Sequence, residues 1–364
     1  MTFSFLYAVT FLLLSVYVYF ILKYIRTWKT APDFSFKSAA GGISLTVLVP
    51  FRNEEENLLA LLESFQKQSL SRGRWEVLFI DGHSTDESVS LLKKHSSAIS
   101  NCRVIKNEGE GKKSALKTGI AKAAGDIIVT TDADCRFGKG RLSSVIAFHE
   151  HEAHDMTIMP VMMEGGGSFM QKFFVADFLA LQMVTAGSAL TGEPLMCNGA
   201  NMAFKKPDND PDLKENYASG EDMFLLESMK KSGKKIRYLK SESAVVRTKA
   251  PGNIKQFIRQ RSRWISKAGG YSDTFLLFFS LMVFTVNILT LVFAALAISG
   301  FIPFRIFALW FIVKTLTDYS LIRSGFRFFD FRVSLLQFAV MQMLYPFYML
   351  LVSFRGFLFR ERWK

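Results

Sequence analysis

Gly125-Asp126-Ile127-Ile128-Val129-Thr130-Thr131-Asp132-Ala133-Asp134 reads as a buried strand running into two carboxylates one residue apart. Aspartate is a poor strand former, so Asp132 and Asp134 belong in the loop just past the strand end. No neighbouring lysine in the sequence neutralises both. A carboxylate pair of this kind suits a hard divalent cation. Mg²⁺ or Mn²⁺ takes one or two protein carboxylates and leaves its other positions to water and substrate phosphates. The alternative is a solvated acidic turn, and the surrounding chain has to discriminate between the two.

Upstream of this stretch the pattern alternates. Thr46 to Pro50 reads as a buried strand, and Glu76 to Ile80 and Cys102 to Ile105 as the second and third strands. Between them lie helical patterns. Asn53 with Glu56 three residues later reads as an N-cap signal, and Leu58, Leu61, Leu62 and Phe65 follow as an apolar stripe. Asp86 to Lys94 and Ser114 to Ala124 read as the next two helices. Strands alternating with helices predict a largely parallel α/β sheet covered on both faces. In such sheets ligands bind beyond the carboxyl ends of the strands. Those ends read Pro50-Phe51-Arg52-Asn53-Glu54, Asp81-Gly82-His83-Ser84-Thr85-Asp86, Asn107 to Lys113, and Asp132-Ala133-Asp134. One edge thus gathers acids, a glycine-rich turn and a lysine pair, the chemistry of a nucleotide-diphosphate site. It is neither a dinucleotide fingerprint, since Gly109-x-Gly111 lacks the third glycine, nor a P-loop, since Lys113 stands where Ser or Thr is required.

The 364 residues are 49% hydrophobic, include 36 Phe and are only 21% charged. The apolar excess is concentrated. Phe3 to Leu22 carries no charge and is long enough for a ~30 Å hydrocarbon core. Phe275 to Ser299 and Val333 to Phe354 are also charge-free, whereas Phe301 to Ile322 contains Arg305, Lys314 and Asp318. Phe3 to Leu22 is too long for a signal peptide and no small-residue cleavage site follows it. Lys23, Arg26, Lys29 and Lys37 come after it and place residue 23 onward in the cytosol. The expected division is a membrane helix over 1–25, a linker over 26–43, a cytosolic catalytic domain over 44–272, and two to three membrane helices over 273–364. The basic tail (Arg355, Arg360, Arg362, Lys364) favours the inside, which three full C-terminal crossings would contradict. Either the charge bias is overridden, or one segment, Phe301 to Ile322 or Val333 to Phe354 with its Pro346, is incomplete or re-entrant. Ser168 to Leu190 reads either as a surface helix guiding a lipid or as a core helix.

The net charge of +13 is assigned to anionic headgroups beside the membrane segments rather than to nucleic acid, for which no motif appears. Cys102, Cys135 and Cys197 are an odd number without paired spacing and fit free thiols in a reducing compartment. His149, His151 and His154 miss the zinc spacing and read as a solvated helix end.

Taken in order, these blocks resemble membrane-bound inverting glycosyltransferases of family 2 with a GT-A type fold. The resemblance covers about residues 44–270. It rests on Val49-Pro50-Phe51-Arg52-Asn53-Glu54, on Ile80-Asp81 through Asp86, on Gly111-Lys112 through Leu116, and on Asp132-Ala133-Asp134. Two late blocks complete it: Gly220-Glu221-Asp222, and Gln260-Arg261-Ser262-Arg263-Trp264 as Gln-x-x-Arg-Trp. It implies a UDP-sugar donor, Mn²⁺ or Mg²⁺, and roles residue by residue. Asp81 would meet the base beside Pro50, Arg52 and Glu54. Asp132 would lie near ribose and metal, and Asp134 would bind the metal. Lys112 would lie near the nucleotide. Asp222 would be the catalytic base, and Gln260, Arg263 and Trp264 would line the site over diphosphate and acceptor. Cys197 to Phe204 resembles the family segment preceding the base. Gly82 departs from the pattern, since many relatives carry a second Asp there. A membrane-lipid hydroxyl is the expected acceptor. The rivals are a processive polysaccharide synthase, which shares Gln-x-x-Arg-Trp, a nucleotidyltransferase on a similar sheet, and a non-enzymatic transporter or scaffold. The oligomeric state is not legible.

Overall fold

The computed structural model describes residues 2–35, 41–95, 99, 101–165, 167–208, 213, 214, 217 and 220–358. Lys37, Arg360, Arg362 and Lys364, which carry part of the charge argument, lie outside the described residues. The chain forms two compact units: a helical one (Met1–Thr30, Gly166–Thr191, Pro251–Glu361) and an α/β one built chiefly from Ala31–Gly165 and Gly192–Ala250.

Helix α1 (Thr2–Thr30) belongs to the helical unit. The α/β unit then begins with β1 (Leu45–Phe51), α2 (Glu55–Gln66), β2 (Trp75–Asp81), α3 (Ser88–His95), β3 (Cys102–Lys106), α4 (Gly111–Lys122) and β4 (Ile127–Thr130). It continues through β5 (Arg136–Phe137), α5 (Arg141–His151), β6 (Met156–Ile158) and β7 (Val161–Glu164). Helix α6 (Phe169–Leu190) returns to the helical unit. The α/β unit closes with β8 (Met202–Lys205), α7 (Glu221–Lys231), β9 (Ile236–Tyr238) and β10 (Val246–Lys249). Helices α8 (Ile254–Ile265), α9 (Thr274–Ile298), α10 (Phe304–Phe329) and α11 (Leu335–Leu358) complete the helical unit.

Seven strands form the main sheet in the order β3-β2-β1-β4-β8-β6-β9. Only β8 runs against its neighbours, β4 and β6, so the expected mostly parallel α/β sheet is what forms. Strand β1 is buried along its whole length, as a central parallel strand must be. The predicted stripe Leu58, Leu61, Leu62 and Phe65 is buried on α2, each side chain contributing roughly 1.5–3 kcal/mol by leaving water. The expected N-cap differs. Helix α2 is preceded by Glu54, and Asn53 adopts φ 55°. Its side chain instead accepts from Thr85 N at 2.8 Å, tying two loops together. A second small sheet, β5-β10-β7, lies in the same unit.

The histidine cluster is also not what its sequence implied. His149 and His154 are buried and share Thr157 Oγ1 at 3.0 and 2.7 Å, with their rings stacked 4.0 Å apart. Only His151 is exposed. Burial, then the His154 ring, pushes His149 down to about 3, and burial also lowers His154. The unfolded chain therefore binds protons that the folded chain refuses. Stability is fully present above the ordinary histidine value of 6.5 and is lost as pH falls from there towards 3. We expect thermal unfolding of the full chain to show a slope of about 1.4 kcal/mol per pH unit for each histidine that stays neutral. A His149→Gln, His154→Gln double variant should flatten it; an unchanged slope would assign the acid sensitivity elsewhere.

In the helical unit, α1 and α10 run side by side in the same direction. Phe11 meets Trp310 (5.7 Å), Tyr17 Oη donates to Asp318 Oδ1 (2.5 Å), and Trp28 Nε1 donates to Ser324 O (3.0 Å). Helix α9 runs the opposite way, with Phe275 against Phe20 and Phe293 against Phe11. Helix α11 starts antiparallel to α10, where Phe338 meets Tyr319 and Gln342 Oε1 accepts from Lys314 Nζ at 2.6 Å. Its second half then lies on α8. Tyr348 stacks on Phe257, and a Cβ on Gly356 would lie 2.8 Å from Ser262 O. Among the described residues four helices are long and apolar enough to cross a membrane: α1 from Tyr7, α6, α9 and α11. The sequence reading had not counted α6 among them. Helix α6 is mostly buried within its unit, which favours the core-helix reading over the surface one. Gly187 allows Tyr24 of α1 to approach so closely that any Cβ would collide with it. In α10 the charged residues are partnered: Lys314, 2% exposed, donates to Asp318 Oδ2 at 2.8 Å.

Candidate active site

Strands β1 and β2 end level, with Phe51 opposite Asp81 and Gly82 N donating to Phe51 O at 2.8 Å. Beyond that edge Asp81 Oδ1 accepts from Ser84 N (2.9 Å), and Glu54 Oε2 accepts from Asn57 Nδ2 (2.7 Å). Arg52 is exposed and makes no ion pair among the described residues. His83 also adopts a left-handed backbone, φ 66°, and its Nε2 lies 2.9 Å from Gly109 O. Two non-glycine residues in this sparsely allowed region, Asn53 and His83, mark a loop pair held by its surroundings rather than by local preference. The structure thus places Pro50, Arg52, Glu54 and Asp81 at one strand edge, as their order implied.

Lys112 gathers the remaining acids. Gly111 (φ +80°) opens α4, and the next residue sends its Nζ to Asp132 Oδ1 at 2.7 Å and to Glu221 Oε1 at 3.0 Å. Burial works against this ammonium, yet Asp132 and Glu221 outweigh it and hold its pKa above the usual lysine range. Asp222 stands at the same place. Its Oδ2 accepts from Gly199 N (3.0 Å), its Oδ1 from Met223 N (2.9 Å), and a Cβ on Gly199 would lie 3.6 Å from both Asp222 Cβ and Lys112 Nζ. Lys112, Asp132 and Asp222 are therefore brought together from three distant segments. Lys113 is not part of the group: its Nζ donates to Lys214 O and sits over the Phe224 ring.

The premise that no lysine neutralises the carboxylate pair holds for Asp134 only. Asp134 Oδ2 accepts from Thr248 Oγ1 at 3.0 Å. Burial, then the neighbouring Asp132 charge, raises its pKa above the usual carboxylate value. The Lys112 ammonium only partly offsets this, and a divalent cation would supply the further positive charge. Among the described residues no group of three or more His, Cys, Asp or Glu is arranged to hold a metal. A pair of aspartates leaving other positions to phosphate oxygens matches Mg²⁺ or Mn²⁺ rather than a closed structural site.

Sequence reasoning missed the framework behind these groups. Arg141, fully buried, donates from Nη2 to Thr130 O (3.1 Å), and from Nε (3.2 Å) and Nη2 (3.0 Å) to Asn201 Oδ1. Asn201 in turn donates to Pro160 O and Ala244 O, while Thr130 Oγ1 donates to Gly199 O at 2.6 Å. One guanidinium thus fixes the end of β4, two residues before Asp132, to the Asn198–Asn201 turn that holds Asp222. Burial alone lowers Arg141 to about 10. A lone arginine at a helix start carries no sequence signal for this. Glu221 could have been found, because it adjoins Asp222.

Gln260, Arg263 and Trp264 lie on α8 of the helical unit, half-buried. The anchor of that helix is the residue between them. Arg261, its side chain 4% exposed, pairs with Asp177 of α6 through Nε (2.7 Å) and Nη2 (2.6 Å), and its guanidinium lies 4.1 Å from the Trp264 ring centre.

A family model for "Glycosyl transferase family 2" matches residues 46–191, and one for "Glycosyl transferase family group 2" matches residues 127–353. The chain is similar to glycosyltransferase AglE of Haloferax volcanii, 32% identical over 25% of this chain and 30% of that one. It is similar also to the undecaprenyl-phosphate 4-deoxy-4-formamido-L-arabinose transferase of Pectobacterium carotovorum subsp. carotovorum, 34% identical over 25% of this chain and 29% of that one. The match thus spans less than a third of these relatives' lengths. Among solved structures, a mannosyltransferase from Pyrobaculum calidifontis in complex with GDP-Man and Mn²⁺ aligns with a TM-score of 0.60. The alignment covers 94% of this chain and 99% of that one at 18% identity, a likeness of fold.

Proposed function

The chain belongs to glycosyl transferase family group 2 and has the GT-A type α/β fold, and from that premise we propose that it transfers a sugar from a UDP-sugar to a membrane-lipid acceptor. The observation that carries the reading is the convergence of Lys112, Asp132 and Asp222, with Asp134 on the same loop as Asp132. Pro50, Arg52, Glu54 and Asp81, at one strand edge, would serve the base and ribose. Lys112, protonated at every working pH, offers positive charge where a diphosphate has to leave. Asp132 and Asp134 would hold the divalent ion, which when bound supplies charge stabilisation to the leaving diphosphate. Asp222, fixed by Gly199 N and Met223 N, accepts the proton of the acceptor hydroxyl as that oxygen bonds to the anomeric carbon. The bond from that carbon to the diphosphate breaks on the opposite face, so the configuration inverts.

The lipid acceptor is supported by the apolar helical unit and by the relative whose name pairs it with undecaprenyl phosphate. Incubating the purified chain with labelled UDP-sugars and a lipid extract should place label in the organic phase. Long water-soluble polymer without labelled lipid would favour the processive synthase.

The helical unit also bears on orientation. Its end defined by Trp28 and Ser324 carries exposed Arg26, Lys29, Arg323, Arg327 and Arg332, whereas the opposite end offers Arg305. We assign the basic end to the cytosol. Helix α11 starts at that end, and its second half follows α8, which ends nine residues before α9 begins. Three crossings (α1, α9 and α10, the last outside the four apolar helices because of its paired Lys314 and Asp318) with α11 crossing incompletely would satisfy both the contacts and the basic tail. A Lys364→Cys variant in a Cys102→Ser background should be labelled only from the cytosolic side; labelling from outside would mean that α11 crosses fully.

A further inference from the structure

We propose that Lys112 is a resident cation on Asp132 that yields to the divalent ion only when the donor's diphosphate arrives with it, and that Glu221 is the positioning residue that keeps Lys112 paired as it leaves. This rests on the metal reading above. One ammonium serves two carboxylates, at 2.7 Å from Asp132 and 3.0 Å from Glu221. The two partners differ in freedom. The Glu221 side chain is 6% exposed and its Oε2 accepts from Gly220 N (2.9 Å), whereas the Asp132 side chain is 37% exposed at a loop. Glu221 is the fixed pole and Asp132 the exchangeable one.

With Lys112 in place, the loop presents one carboxylate that no ion pair neutralises, Asp134, which is too little charge to hold a divalent ion well. A diphosphate adds the missing negative charge and gives the ammonium a new partner. Leaving Asp132 would strand a buried cation if Glu221 were absent, and an unpaired buried charge is costly. The ion and the nucleotide should therefore bind together, not in either order. Because Glu221 is bonded in sequence to Asp222, the exchange ends beside the proposed base.

Mn²⁺ binding to the full chain, read by loss of the free-ion paramagnetic signal and repeated with UDP and with GDP, tests this without any turnover. Wild type should bind Mn²⁺ weakly alone and strongly with nucleotide. Lys112→Met should bind Mn²⁺ alone roughly tenfold more tightly, because a neighbouring positive charge has gone, and should lose most of the nucleotide's reinforcement. Lys112→Arg, which keeps the charge, should stay weak with Mn²⁺ alone. Glu221→Gln should also stay weak alone and gain little from nucleotide. If Lys112→Met binds Mn²⁺ alone no better than wild type while Asp134→Ala abolishes nucleotide-supported binding, the exchange is wrong and the metal site stands. If no form binds Mn²⁺ with either nucleotide, the metal reading falls and the exchange with it.

Discussion

Asp222→Asn should retain donor and metal binding yet turn over about 10²–10⁴-fold more slowly, the usual cost of losing a general base. The substitution keeps size and one of the two acceptor oxygens, so of the bonds from Gly199 N to Oδ2 and from Met223 N to Oδ1 one is lost, a local cost of about 1–3 kcal/mol that leaves the fold in place. Initial rates with saturating donor and acceptor, beside UDP binding by calorimetry, separate the two effects. The size of the loss also reports on the acceptor. A hydroxyl must give up a proton, whereas a lipid phosphate is already ionised at neutral pH and needs no base. Near-normal turnover in Asp222→Asn would therefore remove Asp222 as base and move the acceptor from an alcohol to a phosphate.

The second large effect is expected at Asp134. Asp134→Ala should abolish Mn²⁺-dependent UDP binding while leaving the fold intact. Residues that only orient a metal ligand cost about 10–100-fold when lost, and a ligand itself should cost more. Asp134 accepts from the Thr248 hydroxyl and, weakly, from the Cys135 thiol, while its charge is disfavoured first by burial and then by Asp132, so the folded state has little to lose. Calorimetry with and without Mn²⁺, and an unfolding temperature at or above that of wild type, would bear this out. Unchanged nucleotide affinity in the presence of Mn²⁺ would take Asp134 out of the site.

Much of this was legible because parallel strands advertise themselves. Val47 to Pro50 and Val77 to Ile80 are unbroken apolar runs, and polar residues at their carboxyl ends have nowhere to go but the ligand edge. What was not legible depends on residues far apart in the chain. Nothing near Asp132 announces Lys112, twenty residues earlier, or Thr248, more than a hundred later. Arg141 looks like any helix-start arginine until Thr130 and Asn201 close around it. The Asn53 cap signal failed because a tertiary bond to Thr85 outbid the local one. His149 and His154 were misread because residue type alone does not reveal which face of α5 meets the β6 strand. Helix α6 was ambiguous because an apolar stretch of 22 residues serves equally as a span or as a core.

The strand order carries an implication for biosynthesis. Strand β8 lies between β4 and β6 in the sheet, yet the ribosome delivers it only after α6 has been made. Until then β4 and β6 each lack a neighbour, and the turn that seats Asp222 does not exist. The catalytic sheet therefore cannot be completed during synthesis before an apolar helix belonging to the other unit has emerged. A fragment ending at Gly165 would expose one edge of β4 and both edges of β6 and invite aggregation. Joining Gly165 directly to Gly192 would remove none of the seven strands from the chain. Whether that shortened chain stays soluble would separate the sheet's own requirements from those of membrane insertion.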